Sequence, residues 1–250
     1  MALAIFAAAL FGTLIGSFLN VVAHRLPREE SLMGRSHCPH CGARVRAYDN
    51  VPVISWLILG GRCRDCRAPI SARYPLVEAA TGALCAGVVA VKWDDELAIA
   101  LGLTLVLFLI PIALIDYDIQ KIPNKLVGPA AAIGLAFGLA LDIGFVPEQL
   151  IAGAAGGAFF LAAALLKPGG MGMGDVKLVA AMGILLGRAV APAIFIALIG
   201  GVLAGAVIAA RLGTDVARKT KVPFGVFLTI GALIAVFVGD EIVDAYSDGF

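Results

Sequence analysis

Apolar residues in this chain neither alternate nor keep to one helical stripe. They run in blocks about as long as the 20 or so residues a helix needs to cross a bilayer. The first block is "ALAIFAAALFGTLIGSFLNVVA" (2–23) and the last is "FGVFLTIGALIAVFVG" (224–239), with short polar clusters between blocks. Eight spans are predicted, at about 3–23, 76–92, 97–116, 124–145, 148–166, 174–188, 190–210 and 223–239. The first carries no basic residue ahead of its apolar stretch and reads as a retained helix rather than a cleaved leader.

Composition agrees with the pattern. The 250 residues are 60% hydrophobic and 15% charged, with mean hydropathy +0.96. A soluble domain has about half apolar and a quarter charged residues, so that class is excluded. The predicted fold is an all-α polytopic membrane protein of about eight transmembrane helices with a small polar loop domain.

The net charge of +1 carries no signal until the charges are placed. Threading the spans alternately puts 17 Lys and Arg on one side, among them nine Arg between Arg25 and Arg73, Lys121, Lys125, Lys177, Arg211, Arg218, Lys219 and Lys221. Only Lys92 and Arg188 fall on the other side, with most of the acids of the short loops. Basic loops stay in the cytoplasm, so both termini are expected outside. The chain then divides into a first helix (1–24), a polar module (25–75) and a membrane part (76–250).

The polar module holds "CPHC" (Cys38, Cys41) and "CRDC" (Cys63, Cys66), separated by 21 residues. Paired thiolates on two tight turns close a tetrahedral four-sulfur site for zinc or a similar ion. A filled site of four cysteines has no open position, so its role is structural. Cytoplasmic placement disfavours disulfides. His37 and His40 flank the first turn as solvated or supporting residues, and Cys85 reads as a packing residue in the second span. The arginines are scattered with few aromatics between them. They suit anionic lipid and the topology better than nucleic acid, which is not expected as a partner.

The third span ends at "IDYDIQKIPN" (115–124) and the sixth begins at "GMGDVKL" (172–178), both on the basic side. A carboxylate at a helix C-terminus faces an already negative dipole end, and ionisable groups at a membrane edge are functional candidates. Asp116 and Asp175, 59 residues apart, reach the same depth. Two carboxylates held together share a proton; one can then activate water while the other donates to a carbonyl oxygen. That is aspartic peptide hydrolysis. Gly172 and Gly174 would leave room for substrate backbone or supply positive φ. Lys177 either snorkels to headgroup phosphates or steadies charge near the site. A cation transporter would instead put acids at the midplane of inverted repeats, and a scaffold built on the cysteine loop would leave the paired aspartates unused.

These segments, with "GSFLNVVAHRLP" (16–27) and the whole cysteine loop (36–82), resemble the type IV prepilin peptidases, GxGD-type aspartyl proteases that also act as N-methyltransferases. The resemblance covers nearly the whole chain. It implies catalysis by Asp116 and Asp175, with Asp118 as an alternative or a helper and Gly172, Gly174 and Lys177 as further helpers. It implies zinc on Cys38, Cys41, Cys63 and Cys66, and S-adenosylmethionine as methyl donor. Substrates would be prepilins and pseudopilins of type IV pilus or type II secretion systems, with a short basic leader cut after Gly. The expected location is the inner membrane with the active site facing the cytoplasm. Gly16, Asn20, Arg25 and Glu78 stand in the matched motifs as donor-site candidates; equally, they read as helix-packing, interhelical-bonding and helix-entry residues.

Overall fold

A computed structural model describes residues 1–167, 171–214 and 222–248; Arg218, Lys219 and Lys221, counted above, lie outside them. The described helices are α1 (Ala2–Arg25), α2 (Ile54–Ile58), α3 (Arg73–Val91), α4 (Glu96–Ile119), α5 (Asn124–Leu141), α6 (Val146–Leu166), α7 (Met173–Leu186), α8 (Val190–Leu212) and α9 (Phe224–Ser247). Each of the eight expected spans has its helix, and no strand occurs among the described residues. Seven apolar runs are long enough to cross a membrane, because α7 and α8 belong to one run, Met173–Leu212. Gly187, at φ +55°, breaks that run; a Cβ there would strike Glu148 and Phe145. The chain divides into two compact units, Met1–Trp93 and Asp94–Phe250, so α3 goes with the cysteine module.

In the first unit α1 and α3 run antiparallel along a seam of small residues. A Cβ on Gly12 would lie 2.8 Å from Gly82 Cα, and one on Gly16 would lie 2.9 Å from Glu78 Cα. Asn20 Nδ2 donates to Tyr74 O at 3.4 Å one register step further on. Lipid gives two apolar helices no hydrophobic drive to associate, so close backbone approach at small residues supplies the packing.

Between these helices the cysteine module is a structural repeat offset by 25 residues. Cys38 N donates to Ala43 O (2.9 Å) and Gly42 N to Cys38 O (2.9 Å); Cys63 N donates to Ala68 O (2.8 Å) and Arg67 N to Cys63 O (3.0 Å). Bridges His37 to Arg44 and Arg62 to Pro69 close the two knuckles. Each knuckle needs one left-handed residue. Gly42 supplies it at φ +71°, and Arg67 takes it at φ +61° against the cost a side chain meets there.

In the second unit α4 is the most buried span. α6 and α7 pack antiparallel, with the space beside Gly153 and Gly183 filled by the facing helix, and α8 and α9 do the same around Gly200 and Gly231. Gln149 is fully buried where α5, α6 and α7 meet, and its Nε2 donates to Gly134 O (3.1 Å) and Ile184 O (2.9 Å). At one end of the unit, Arg188 N donates to Glu148 Oε1 at 2.8 Å and its guanidinium pairs with Asp244 at 2.8 Å. These are the residues expected on the acidic, outer side.

Candidate active site and metal centre

Asp116 ends the buried stretch of α4. Gln120 then takes the left-handed C-cap (φ 53°), its N–H bonding back to Asp116 O at 2.9 Å, and Pro123 opens α5. This tight link turns Ile122 back into the unit. Asp116 is 5% exposed and its Oδ2 has no hydrogen-bond partner among the described residues. An unsatisfied carboxylate oxygen in so dry a place is costly and is retained only where something uses it. Asp118, two residues on, is exposed, so the fold separates the two acids of "IDYD" and buries the first.

Asp175 occupies the third position of α7. Its N–H donates to Gly172 O (3.0 Å), and its Oδ2 accepts from Gly172 N (3.1 Å). The carboxylate thus satisfies one orphan donor at a helix N-terminus, where the macrodipole favours negative charge. Lys177 is exposed and donates to Asn124 Oδ1 at 3.2 Å, tying the first turns of α7 and α5 together.

Three residues link the two acids, and two of them were not foreseen. Gly225, at the start of α9, lies against Asp116: a Cβ there would be 2.8 Å from Oδ2 and 3.1 Å from Ile122 Cδ1. A Cβ on Gly174 would be 3.0 Å from Ile122 Cβ. Ile122 therefore touches the glycine beside each aspartate, and the ends of α4, α7 and α9 meet around it. This corrects one expectation. Neither Gly172 nor Gly174 has positive φ; an added Cβ would lie 3.1 Å from the Asp175 carboxylate at Gly172 and 3.0 Å from Ile122 at Gly174. No local pattern marks Ile122 or Gly225, because their role depends on contacts made across the sequence.

The four cysteine sulfurs of the first unit lie within 4.8 Å of one another, with Cys38 and Cys66 at 3.8 Å. A tetrahedron of zinc–sulfur bonds of about 2.3 Å has edges of about 3.8 Å, so the donor set fits zinc. The backbone N–H groups of Cys41 and His40 hold the Cys38 thiol down at about 6. At Cys66 the Ala68 N–H acts downward, but burial and the other three sulfurs outweigh it and push that thiol up to about 12. Arg64 clamps Asp49 through Nε (2.9 Å) and Nη2 (2.6 Å), which holds the Asp49 carboxyl below its usual range. Arg46 pairs with Asp65 at 3.2 Å. These two pairs strap the second knuckle to the segment 46–49.

The donor-site candidates are brought to one part of the same unit but are already engaged. Gly16 closes against α3, and Asn20 bonds to Gly16 O and Tyr74 O. Buried Glu78 accepts from Val53 N at 2.7 Å, and Arg25 Nη1 donates to the carbonyls of Ser31, Leu32 and Met33.

Two family models match the chain: the Bacterial Peptidase A24 N-terminal domain over residues 10–93 and the Type IV leader peptidase family over residues 103–210. A protein of Stutzerimonas stutzeri named prepilin leader peptidase/N-methyltransferase is 36% identical, over 96% of this chain and 92% of its own length. The chain belongs to the type IV leader peptidase family. Relatives with the same name in Pseudomonas aeruginosa (36% identical, covering 95% of this chain and 91% of that protein) and Neisseria gonorrhoeae (35%, 94% and 91%) agree. No solved structure matches. Within the family match, the two model boundaries fall on either side of the division between the two compact units.

Proposed function

We propose that this protein is a multi-pass inner-membrane aspartic endopeptidase. It removes the short basic leader of type IV prepilins and pseudopilins by cutting after Gly, and it methylates the new N-terminus with a methyl group from S-adenosylmethionine. The observation that supports the reading is that Asp116 lies against Gly225 and Asp175 follows Gly174, two glycines that both face Ile122, with Asp116 Oδ2 buried and without a hydrogen-bond partner among the described residues. Cleavage belongs to the membrane part, 76–250, and methylation to the cysteine module, 25–75, with its flanking helices.

In the cleavage step the pair holds one proton. The ionised carboxylate takes a proton from water as its oxygen attacks the scissile carbonyl, and the protonated one donates to the carbonyl oxygen. Collapse of the tetrahedral intermediate returns a proton to the leaving amine and breaks the C–N bond. No covalent intermediate forms, and the titration belongs to the pair rather than to either residue. With both termini outside, the site faces the cytoplasm, where a membrane-lodged substrate helix presents its leader junction. Zinc on the four cysteines fixes the fold of the module and takes no part in either reaction.

Purified protein in detergent, mixed with a prepilin, should yield mature pilin and free leader. With S-adenosylmethionine added, the mature product should gain one methyl group. An intact prepilin in the presence of protein whose zinc is retained would contradict the reading.

A further inference from the structure

The cysteine module carries a short helix whose apolar face has no partner among the described residues of its own unit. In α2, Ile54, Leu57 and Ile58 are 56%, 64% and 74% exposed, and Val51 ahead of them is 43% exposed. The other face is firmly held. Ser55 is buried, with Oγ donating to Tyr48 O (2.9 Å) and accepting from Val51 N (3.0 Å). Trp56 Nε1 donates to Ile70 O at 3.1 Å. The helix therefore cannot roll its apolar residues inward without breaking these bonds.

What lies against that face follows from how α2 is hung. It is entered through Val53, at φ 62° and ψ −54°, with Ile54 N donating to Pro52 O at 2.6 Å. This is the positive-φ γ-turn, rare and strained, and more so for a β-branched residue. Such strain persists only where the surroundings hold it. The holder is the Glu78 carboxylate, which accepts the Val53 N–H at 2.7 Å. Glu78 belongs to the spanning helix α3, five residues beyond its start at Arg73 and so about 7.5 Å along its axis. Leu76 on α3 (67% exposed) and Phe18 on α1 (49% exposed) show apolar surface near the same level. Arg62, just past α2, is exposed for headgroup contact.

We propose that the exposed face of α2 is inserted in the cytoplasmic leaflet, at the boundary of headgroups and acyl chains, so that the metal-binding module rides on the lipid surface rather than standing clear of it. The Val53 turn and the Glu78 bond set its depth. The occupant of this face is phospholipid, not a second copy of the chain and not the substrate helix. The bond to Glu78, about 7.5 Å along a helix long and apolar enough to cross a membrane, favours this choice.

The test uses the full-length protein in nanodiscs of brominated phospholipid, with Trp56 and Trp93 of the parent setting the baseline. Ile58→Trp and Leu57→Trp should each add blue-shifted emission. That emission should be quenched more by bromines near the headgroup end of the acyl chain than by bromines near its middle. Arg44→Trp, on the exposed first knuckle, should add red-shifted emission that lipid bromines leave alone. Water-exposed emission from both α2 variants would overturn the proposal. So would lipid contact that appears only at high protein-to-lipid ratio, pointing to a second copy, or shielding that appears only when prepilin is added, pointing to substrate.

Discussion

Gly225 lies so close to Asp116 that a methyl group on it would sit 2.8 Å from the carboxylate Oδ2. The start of the last helix thus forms a wall of the acid's pocket, and its lack of a side chain sets where the carboxylate rests. Gly225→Ala should displace Asp116 and lower prepilin cleavage about a hundredfold, as a misplacement of about an ångström in a reacting group can. Membrane accumulation and bound zinc should be unchanged. Cleavage near the wild-type rate, measured on purified protein, would show that Asp116 is free to move.

Arg67 offers a test in the opposite direction. It holds the left-handed position that Gly42 fills in the first knuckle. Arg67→Gly should relieve about 1 kcal/mol of backbone cost and raise zinc affinity several-fold in a chelator competition. Gly42→Ala should weaken the affinity by a comparable factor. Equal affinities for all three proteins would mean that the knuckles hold the same turns with and without the metal.

Metal retention should depend on acidity with a definite sign. Zinc binds thiolates, so uptake releases protons and affinity falls as pH falls. Cys38, lowered from 9.0 to about 6, is already a thiolate at neutral pH, whereas Cys66, raised to about 12, must lose its proton to bind. The depressed Cys38 value also favours the folded metal-free module at alkaline pH, a contribution lost as pH falls through about 6. Zinc loss, followed with a chromophoric chelator, should therefore steepen by one proton below about 6. A slope that stays constant through that range would contradict the Cys38 assignment.

Gln149 is fully buried and joins α5, α6 and α7 through two hydrogen bonds to backbone carbonyls. Gln149→Leu should cost about 1–3 kcal/mol, since both bonds are lost in a dry setting. It should appear as a lower midpoint of thermal unfolding in detergent with the initial cleavage rate little changed. A stability equal to wild type would show that the carbonyls are satisfied within their own helices.

Much of the architecture can be read from residue order alone. Apolar blocks bounded by charges give the helices, and two Cys-x-x-Cys pairs give the cluster whose sulfurs lie within 4.8 Å of one another. The two aspartates are legible because a carboxylate at a membrane edge is too costly to be incidental. What could not be read depends on distant contacts. The knuckles share only two cysteines and an alanine in register, so their common geometry emerges from hydrogen bonds rather than similarity. The α3 grouping follows from glycines at 12, 16 and 82 that gain meaning only when paired. Likewise Glu78 looked like a helix-entry residue or a donor ligand; its bond to a strained Val53 could be found only in three dimensions.

The central claim is that Asp116 and Asp175 act as a pair, and the most direct test is cleavage of a purified prepilin by Asp116→Asn and Asp175→Asn. Each variant should lose about a hundred- to ten-thousandfold in rate while keeping its zinc and its place in the membrane. Substantial cleavage by either one would contradict the account.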